Sequence, residues 1–586
     1  MSDAPQGNRS VPRWERRFPG RFQWELDEFQ KANVHPSIND DALVQGRLDL
    51  SFEWPLDDKL IPLRAIYPDS YPFLRPHIYV TNPAFFPKRH YSPIDGNLCL
   101  LGRDSRQWSS SWTVPELLRN QLRDAFENAG DEDPQGEPAE VWWNNLGRPG
   151  SYCLIDSSWS LLSASSPGKL KLSYVAKVDS AGEPVFCAVV KSVTDATGQE
   201  VAAWHGAMPR ALQGEVVREM EITWDRWSTE LLPVPQFQDQ NIGLAELWKG
   251  RINPASAFDF AVSSKRGQVH AFLYPTETQF QRQGESWLFI LAAGKRTAFY
   301  PGKKESSPLE AFVIRTFRAG PSDLISRAPA VSGLSTKSVS VIGTGAVGAP
   351  LAIELARNGV KEIRLLDFDV VEPGNIVRWP LGSSAWGELK TKALADFIES
   401  EYPATKVSCT NHPLGAFSPD GNGDSTVLEA ALGGVDLVID GTASFGTTSL
   451  LQDEASARSL PLLVLYASPS VAGGVVALFA PEGGCPVCLE CAWQDELNTI
   501  VPPPGMFEEA ELVQPPGCAE RTFSGTFFDL QELPMQAMRV ATGILASDQP
   551  SSSAVYTLAF QEENGIRIPS WRMVSLPVHP QCSCQK

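Results

Sequence analysis

The sequence predicts a multidomain chain with a small N-terminal α+β unit, a β-rich connecting unit and a C-terminal α/β unit. Its 586 residues are several times the roughly 100–200 residues of one domain. Strand-like alternation dominates the first half, whereas strand, glycine-rich turn, helix and strand follow one another from residue 336. That order is typical of a parallel sheet covered by helices. A polar stretch, GDEDPQGEPAE, follows the first unit, and we expect domains over residues 13–135, 140–330 and 336–586.

Composition and charge exclude several functional classes. Hydrophobic residues make up 42% and charged residues 20% of the chain, as in ordinary globular proteins, and no apolar run approaches the roughly 18–20 residues of a membrane-spanning helix. The opening MSDAPQGNRS has no apolar signal-peptide core, and ten cysteines are too few for a secreted disulfide scaffold. We expect a cytoplasmic protein with no membrane partner. The formal net charge of −19 also predicts no broad binding of nucleic acid.

The N-terminal unit alternates helix-like and strand-like patterns. An amphipathic stretch, RRFPGRFQWELDEFQKA, precedes three alternating segments, RLDLSFEWPL, IPLRAIYP and PHIYV. Apolar residues at three- and four-residue spacing then predict a helix in TVPELLRNQLRDAFENA. These patterns predict a compact α+β unit.

A cysteine follows the last of these strands in the segment HYSPIDGNLCLL. Over most of residues 15–130 this arrangement resembles the ubiquitin-conjugating fold, whose pattern is H-P-N and then a cysteine after a D-G-x-x-C turn. The resemblance implies that Cys99 carries a thioester and that Asp95 and Gly96 form the turn. His90 opens the H-P-N position, but Ser92 replaces the asparagine that steadies the oxyanion. A small buried cysteine remains the alternative for Cys99, as a structural hydrogen bonder does for His90.

The connecting unit is strand-like throughout. The segments SYCLIDSSW, LKLSYVAKV, PVFCAVVKSV, QVHAFLYP and SWLFILAAG alternate without clustering residue types that carry chemistry. We assign it no activity.

The C-terminal unit opens with a nucleotide-binding pattern. Gly343-x-Gly345-x-x-Gly348 follows an apolar strand and begins a helix, so that backbone N–H groups can face phosphate oxygens. Asp367 ends the next strand, where a carboxylate can accept ribose hydroxyls. Nicotinamide dehydrogenases share this signature, and a simple packing turn is a further alternative.

The residues after Asp367 favour adenylation. LLDFDVVEPGNIVR contains Asp369, Asn375 and Arg378, and GELKTK supplies Lys390. Positioned cations stabilise the charge that develops when a carboxylate attacks an α-phosphate and pyrophosphate leaves. The set resembles the Rossmann-like adenylating family of ThiF, MoeB and the ubiquitin-activating enzymes. By that resemblance ATP is the cofactor, Asp367 and Asp369 form the D-x-D pair at the ribose, and the other three residues hold phosphates.

Two further elements of the family pattern are incomplete here. Members carry a D-x-T-D segment for magnesium, and VIDGTAS has Ala443 at its last position. Asp440 is therefore either the magnesium ligand or a structural carboxylate. Members also borrow an arginine from a dimer partner, and Arg315 or Arg318 stands at a suitable distance upstream. The resemblance thus implies magnesium and a homodimer.

Among the remaining cysteines, four are candidate zinc ligands and one is a candidate nucleophile. Cys485 and Cys488 form one close pair and Cys582 and Cys584 another, which matches a closed tetrahedral zinc site. ThiF and MoeB have the same layout, normally with C-x-x-C in the second pair. Cys491 is a possible substitute ligand, and four reduced free thiols are the alternative.

Cys518 stands in QPPGCAERTFSGTF, before a helix-like segment. A cysteine just before a helix can have a lowered pKa and react as a thiolate. In the ubiquitin-activating family, the cysteine that accepts the activated C-terminus lies in this loop. An inert cysteine is the alternative.

Together these features predict a relay. A protein C-terminus is adenylated, passes to Cys518 and then to Cys99, and is conjugated to a lysine. The order of domains resembles the bacterial fusion proteins of CBASS antiphage operons, which implies a cGAS-like nucleotidyltransferase as partner. A dedicated ubiquitin-like protein is the neighbouring possibility.

Other functions remain open at this point. A sulfur-carrier adenylyltransferase leaves residues 15–130 unexplained, and a dinucleotide-dependent oxidoreductase explains nothing after Asp367. A non-catalytic scaffold gives no role to Arg378, Lys390, Cys518 and Cys99.

Overall fold

The structure is a computed structural model in which two compact units are distinguished. One contains the residues up to Trp204 together with residues 214–318, and the other contains His205–Gln213 and Ala319–Lys586. The described residues are 11–87, 90–101, 108–127, 138–206, 208–213, 216–233, 258–259, 265–279, 282–295, 310–416, 423–495, 500–508, 512–514, 522–547 and 552–585. Cys518 and most of the polar stretch after residue 127 lie outside them.

The N-terminal part of the first unit is a four-stranded antiparallel sheet whose strands pair in chain order. The strands are β1 (Ser37–Ile38), β2 (Asp49–Leu56), β3 (Lys59–Ile66) and β4 (His77–Val80), and the helices are α1 (Arg21–Lys31), α2 (Asp40–Val44) and α3 (Val114–Glu127). Alternation turns Phe52 and Trp54 of β2 inward, where they join Leu118 and Leu122 of α3 in one core. The apolar spacing therefore positions α3 over the sheet.

The rest of the first unit is a single nine-stranded sheet. Its elements are α4 (Ala139–Leu146), β5 (Tyr152–Ile155), β6 (Gly168–Val178), β7 (Pro184–Thr194), β8 (Glu200–Ala203), β9 (Arg218–Arg226), β10 (Phe258–Asp259), β11 (Lys265–Gln279), β12 (Arg282–Lys295) and β13 (Glu310–Arg318). The strand order is β10-β11-β12-β13-β5-β7-β6-β9, and β9 also pairs with β11, which closes the sheet on itself. Trp224 and Trp287 pack in its interior.

The second unit is built on an eight-stranded sheet of order β16-β15-β14-β17-β18-β19-β20-β21. The strands are β14 (Ser338–Ile342), β15 (Glu362–Asp367), β16 (Lys406–Asn411), β17 (Leu437–Asp440), β18 (Leu462–Ala467), β19 (Gly473–Phe479), β20 (Ser553–Glu563) and β21 (Ile566–Leu576). The first five strands in this spatial order are parallel, and the last three pair antiparallel. The parallel sheet predicted from residue 336 onward is confirmed.

Helices cover this sheet. They are α5 (Pro321–Ile325), α6 (Gly348–Arg357), α7 (Lys390–Glu401), α8 (Asp424–Leu432), α9 (Phe445–Ala457), α10 (Pro486–Gln494), α11 (Phe527–Leu530) and α12 (Glu532–Ala546). Every residue of β14, β17 and β19 is buried, because helices pack against the sheet. Throughout the described part of the chain, no helix has the length and apolar character needed to cross a membrane.

A buried carboxyl group joins α1 to α3 in the N-terminal sheet domain. Glu25 is fully buried and accepts hydrogen bonds from the hydroxyls of Tyr67 (3.0 Å) and Tyr71 and from the backbone N–H of Val114 (3.1 Å). The guanidinium of Arg21 lies 3.7 Å from the same carboxyl. Burial disfavours the charged form and raises the pKa of Glu25 from 4.5 to about 7.

Raising the pH should weaken this part of the fold through Glu25. The pKa of Glu25 is higher in the folded chain than in the unfolded chain. The stabilisation that Glu25 contributes is therefore complete below pH 4.5 and is lost as the pH rises through about 7. A shift of this size corresponds to roughly 3 kcal/mol, since one pKa unit is about 1.4 kcal/mol. We expect the opening free energy of α1 amides, measured by hydrogen exchange corrected for intrinsic rates, to fall over this range. Glu25→Gln should remove this pH-dependent fall in opening free energy. Glu53→Gln, at an exposed position, should leave the fall unchanged. An equal fall in wild type and Glu25→Gln would contradict this role.

Candidate functional site

The turn between β14 and α6 requires two of its glycines. Gly343 has φ +82°, and a Cβ there would lie 2.7 Å from the backbone nitrogen of Thr442. A Cβ on Gly348 would lie 1.9 Å from the carbonyl oxygen of Gly343. The turn is therefore closely packed on itself and on the segment after β17. It begins α6 at the carboxyl edge of the parallel strands, where ligands bind in open α/β sheets.

Gly345 has a different environment from the other two. Apart from its chain neighbours, no heavy atom of the described residues lies within 4 Å of a Cβ built there. The backbone at Gly345 is therefore accessible from outside the turn. A ligand can approach the backbone at this position, which fits the predicted contact with phosphates.

Asp367 links the glycine turn to the D-x-D segment. One carboxylate oxygen accepts hydrogen bonds from the backbone N–H (2.7 Å) and hydroxyl (2.9 Å) of Thr344, within the turn. The other accepts from the backbone N–H groups of Phe368 (2.7 Å) and Asp369 (3.0 Å). The predicted ribose ligand thus also organises the loops around it.

Lys390 and Asp369 lie together at the same edge. The ammonium of Lys390 forms an ion pair with the carboxylate of Asp369, and the Lys390 backbone N–H donates to the Asp369 carbonyl at 2.9 Å. The Lys390 side chain is only 12% exposed, whereas that of Asp369 is 53% exposed. The pair therefore holds a cation at the start of α7 close to the glycine turn.

Asn375 shapes the loop that leads to Arg378. Its side-chain oxygen accepts a hydrogen bond from the Glu372 backbone N–H at 3.0 Å, and its carbonyl accepts from the N–H groups of Arg378 (2.9 Å) and Trp379 (2.8 Å). The Trp379 indole N–H donates to the carbonyl oxygen of Thr344 at 2.8 Å. These contacts dock the loop against the glycine turn.

The guanidinium of Arg378 contacts a distant part of the chain. It donates to the carbonyl oxygen of Phe523 and to the hydroxyl of Thr522, each at 2.9 Å. Its carbon atom lies 4.6 Å from the centre of the Phe523 ring. Sequence reasoning missed both partners, because no local pattern marks a contact across more than 140 residues.

Asp440 is held inside the fold. Its carboxylate is fully buried and accepts hydrogen bonds from the backbone N–H (2.9 Å) and hydroxyl (2.7 Å) of Thr442 and from the hydroxyl of Thr448. Burial raises its pKa above the usual value. These contacts favour the structural alternative, in which Asp440 fixes the Thr442 backbone that packs on Gly343.

The two arginines considered for a dimer contact both pair within the first unit. Arg318 donates to the carboxylate of Glu140 at 2.7 Å and to the hydroxyl of Ser286 at 3.0 Å. Arg315 donates to the carbonyl oxygen of Gly147 at 2.9 Å. Both side chains thus have a local role that stabilises the β-rich sheet.

Four cysteines of the second unit converge on one point. The sulfur atoms of Cys485 and Cys488 are 3.7 Å apart, Cys485 and Cys582 are 3.6 Å apart, and Cys488 and Cys584 are 3.5 Å apart. A tetrahedral zinc ion with bonds of about 2.3 Å places its sulfur ligands about 3.8 Å from one another. The four thiols therefore fit zinc, and Cys491 is not a member of this group.

The segment that contains Cys99 is a tight hairpin next to β4. The backbone N–H of Cys99 donates to the carbonyl oxygen of His90 at 2.7 Å, and that of Ser92 donates to the carbonyl oxygen of Asn97 at 2.7 Å. Cys99 is partly exposed, while Ser92 is buried and its hydroxyl accepts from the N–H of Ile94 at 3.4 Å. The structure thus brings the His90 and Cys99 backbones together.

Cys518 lies outside the described residues, but the two ends of its loop are described. Val513 and Thr522 each donate a backbone hydrogen bond to the other at 2.8 Å. The next residue, Phe523, contacts Arg378. The described base of the Cys518 loop is therefore part of the same site as the phosphate-binding candidates.

Gly348 is tightly packed and Gly345 is not, so one added methyl group should have unequal effects at the two positions. Gly348→Ala forces the backbone to shift and should destabilise the second unit by on the order of 1–3 kcal/mol. Gly345→Ala meets open space and should leave the thermal unfolding temperature nearly unchanged. Calorimetric unfolding of both variants measures the difference, and equal destabilisation would show that the turn is not packed as described.

We expect one zinc ion per chain, bound by Cys485, Cys488, Cys582 and Cys584. Cys582→Ser should lose most of the metal and lower the unfolding temperature of the second unit, because closing a structural zinc site stabilises the fold directly. Cys491→Ser is the matched control and should keep both properties. Elemental analysis and calorimetry test this, and a stable wild-type protein without zinc would overturn the assignment.

Comparisons with known proteins agree with this geometry. The ThiF family matches residues 324–566. A protein of Sinorhizobium fredii described as uncharacterized protein y4qC is 37% identical over 580 residues, which cover 96% of each chain.

Two partial relatives match a shorter part of the chain. The ATP-dependent ubiquitin transferase-like protein Cap2 of Enterobacter hormaechei is 29% identical over 34% of this chain and 35% of its own. The probable adenylyltransferase/sulfurtransferase MoeZ of Mycobacterium tuberculosis is 31% identical over 32% of this chain and 42% of its own. The predicted ThiF/MoeB resemblance is confirmed for the C-terminal part: the chain belongs to the family of y4qC and ends in a ThiF-type Rossmann adenylation domain.

Proposed function

We propose that this chain adenylates the C-terminal carboxylate of a protein and transfers the acyl group through Cys518 and Cys99 to a lysine of a target. The observation that carries the proposal is the single sheet edge that holds the glycine turn, Asp367, Lys390 and Arg378. Arg378 also contacts the base of the Cys518 loop there. An activating pocket and an acyl acceptor need such proximity, because an adenylate is consumed where it forms.

The geometry supports adenylation chemistry. The backbone of the glycine turn faces phosphate oxygens and Asp367 accepts the ribose hydroxyls. The substrate carboxylate attacks the α-phosphorus of MgATP, the bond to the β-phosphate breaks, and pyrophosphate leaves. Arg378 and Lys390 are cations at the same edge, and they stabilise the negative charge that grows on the phosphate oxygens. Asp369 is the more exposed carboxylate near this pocket and Asp440 is buried, so Asp369 is the carboxylate that would help to hold magnesium, which would neutralise charge on the phosphates.

The later steps exchange one acyl carrier for another. The Cys518 thiolate attacks the acyl carbon and AMP leaves, and the Cys99 thiolate then displaces the Cys518 sulfur. A lysine amine finally displaces Cys99 and forms an amide, so that a difficult condensation is divided into displacements. Partial similarity to Cap2, which is described as an ATP-dependent ubiquitin transferase-like protein, supports a transfer function.

The N-terminal domain carries the second acceptor in this proposal. Its antiparallel sheet and the adjoining helices α1 and α3, with the Cys99 hairpin beside β4, support a ubiquitin-conjugating-like domain over residues 13–135. The β-rich sheet over residues 140–330 connects it to the activating domain at 336–586. By the resemblance to CBASS fusion proteins, the acylated partner is a cGAS-like nucleotidyltransferase, with a ubiquitin-like protein as the alternative.

A homodimer is part of the proposal. Five large apolar side chains on the loops around the pocket are exposed by 40–65%: Phe368, Val370, Ile376, Val377 and Trp386. An apolar cluster on functional loops is typical of a surface that another protein covers. A second copy of the activating domain is the occupant that the family resemblance implies.

Sulfur-carrier activation is the second candidate, because MoeZ is described as an adenylyltransferase/sulfurtransferase. Both candidates use the same pocket and Cys518. They differ at Cys99, which sulfur transfer does not need.

The order of the relay can be tested with two cysteine variants and a partner protein that has a free C-terminus. Cys99→Ala should accumulate a reducible thioester on Cys518, because only the outgoing step is blocked. Cys518→Ala should stop at the adenylate, keep ATP–pyrophosphate exchange and load nothing onto Cys99. Electrophoresis with and without reductant reads both outcomes.

Cys409→Ala is the matched control, because Cys409 is an exposed thiol of the second unit, and it should conjugate normally. Unchanged conjugation in Cys99→Ala would exclude the relay and leave the sulfur-carrier alternative. Normal loading of Cys99 in Cys518→Ala would reverse the proposed order.

A further inference from the structure

Thr522 and Phe523 surround the Arg378 guanidinium on two sides. The Thr522 hydroxyl and the Phe523 carbonyl oxygen each accept a hydrogen bond of 2.9 Å, and the Phe523 ring lies against the guanidinium with 4.6 Å between its centre and the Arg378 carbon. Hydrogen bonds to two different nitrogens and a ring contact together restrict the orientation of the guanidinium plane. A long side chain that is mobile in solution is thereby held in one direction.

The residue after Arg378 is held by the opposite side of the site. Trp379 is buried and donates its indole N–H to Thr344 in the glycine turn at 2.8 Å. Thr522 is itself fixed by the pair of backbone hydrogen bonds with Val513. The dipeptide Arg378-Trp379 therefore connects the glycine turn to the two chain segments that begin and end the Cys518 loop.

We propose that Thr522 and Phe523 are positioning residues that orient Arg378 toward the phosphates of ATP. This inference rests on the proposed function, since it requires that ATP occupies the pocket. Neither residue needs to touch the nucleotide. Their effect passes through Arg378, because its guanidinium can be directed at an anion only while the side chain is held in place.

The contact also has a consequence for the Cys518 loop. Thr522 is the fourth residue after Cys518 in the sequence, so the covalent chain keeps their Cα atoms within about 14 Å. Thr522, which contacts Arg378, is therefore only a short stretch of chain away from the proposed acyl acceptor.

Calorimetric binding of MgATP and of adenosine separates this role from a general structural one. Thr522→Val keeps the side-chain shape but removes the hydrogen-bond acceptor, and it should weaken MgATP binding by about three- to tenfold, the range of one lost hydrogen bond. Adenosine has no phosphate, and its affinity should not change. Thr522→Ser should restore MgATP binding, and Phe523→Leu, which removes the ring contact, should weaken it. Thr336→Val makes the same chemical change at an exposed position of this unit and should bind both ligands as wild type does.

A double-mutant cycle tests whether the effect passes through Arg378. In an Arg378→Ala background, Thr522→Val should cause no further loss of MgATP affinity. The positioning role would be overturned if Thr522→Val weakened MgATP binding as much in the Arg378→Ala background as in the wild type. It would also be overturned if Thr522→Val weakened adenosine binding as much as MgATP binding. Wild-type MgATP affinity in Thr522→Val would overturn it as well. If the wild-type protein binds no MgATP, the proposed function fails first and the inference fails with it.

Discussion

The candidate site depends on the carboxylate of Asp367. This group receives hydrogen bonds from the glycine turn after β14 and from the D-x-D loop after β15. Two loops from adjacent parallel strands converge at one sheet edge, and without a shared acceptor their backbone N–H groups would lack partners at that edge. A residue predicted as a ribose ligand is therefore equally a structural centre of the pocket.

The second support is steric. Gly348 packs its Cα against the carbonyl oxygen of Gly343, and Gly343 packs against the backbone of Thr442. Asp440 fixes Thr442 through two hydrogen bonds from inside the fold. The glycine turn, β17 and the buried carboxylate are thus one packed arrangement. It gives the buried aspartate at the end of β17 a structural role.

Much of this arrangement could be predicted from the sequence, because its signals are local. The glycine spacing, the D-x-D pair and the two cysteine pairs each occupy a few residues, and the pattern switch at residue 336 marks the parallel sheet. Contacts made by tertiary structure could not be predicted in the same way. Arg378 reaches Thr522 across 144 residues, and Arg318 pairs with Glu140 across 178. Nothing near either arginine in the sequence indicates its partner.

The four-cysteine cluster and Arg378 restrain the same stretch of chain, the cluster at its two ends and Arg378 between them. Cys485 and Cys582 are 97 residues apart in sequence, and the segment between them contains α10, α11, α12, β20, β21 and the residues that carry Cys518. A covalent cross-link of that span removes about 4–5 kcal/mol of chain entropy from the unfolded state, and a metal bound to both ends acts by the same constraint. A zinc ion in the four-cysteine cluster would fix where the segment begins and ends, but Cys518 lies between the two anchors, more than 30 residues in sequence from each. The contact from Arg378 to Thr522 and Phe523 restrains the described base of the Cys518 loop, because it ties that base to the glycine turn through Trp379.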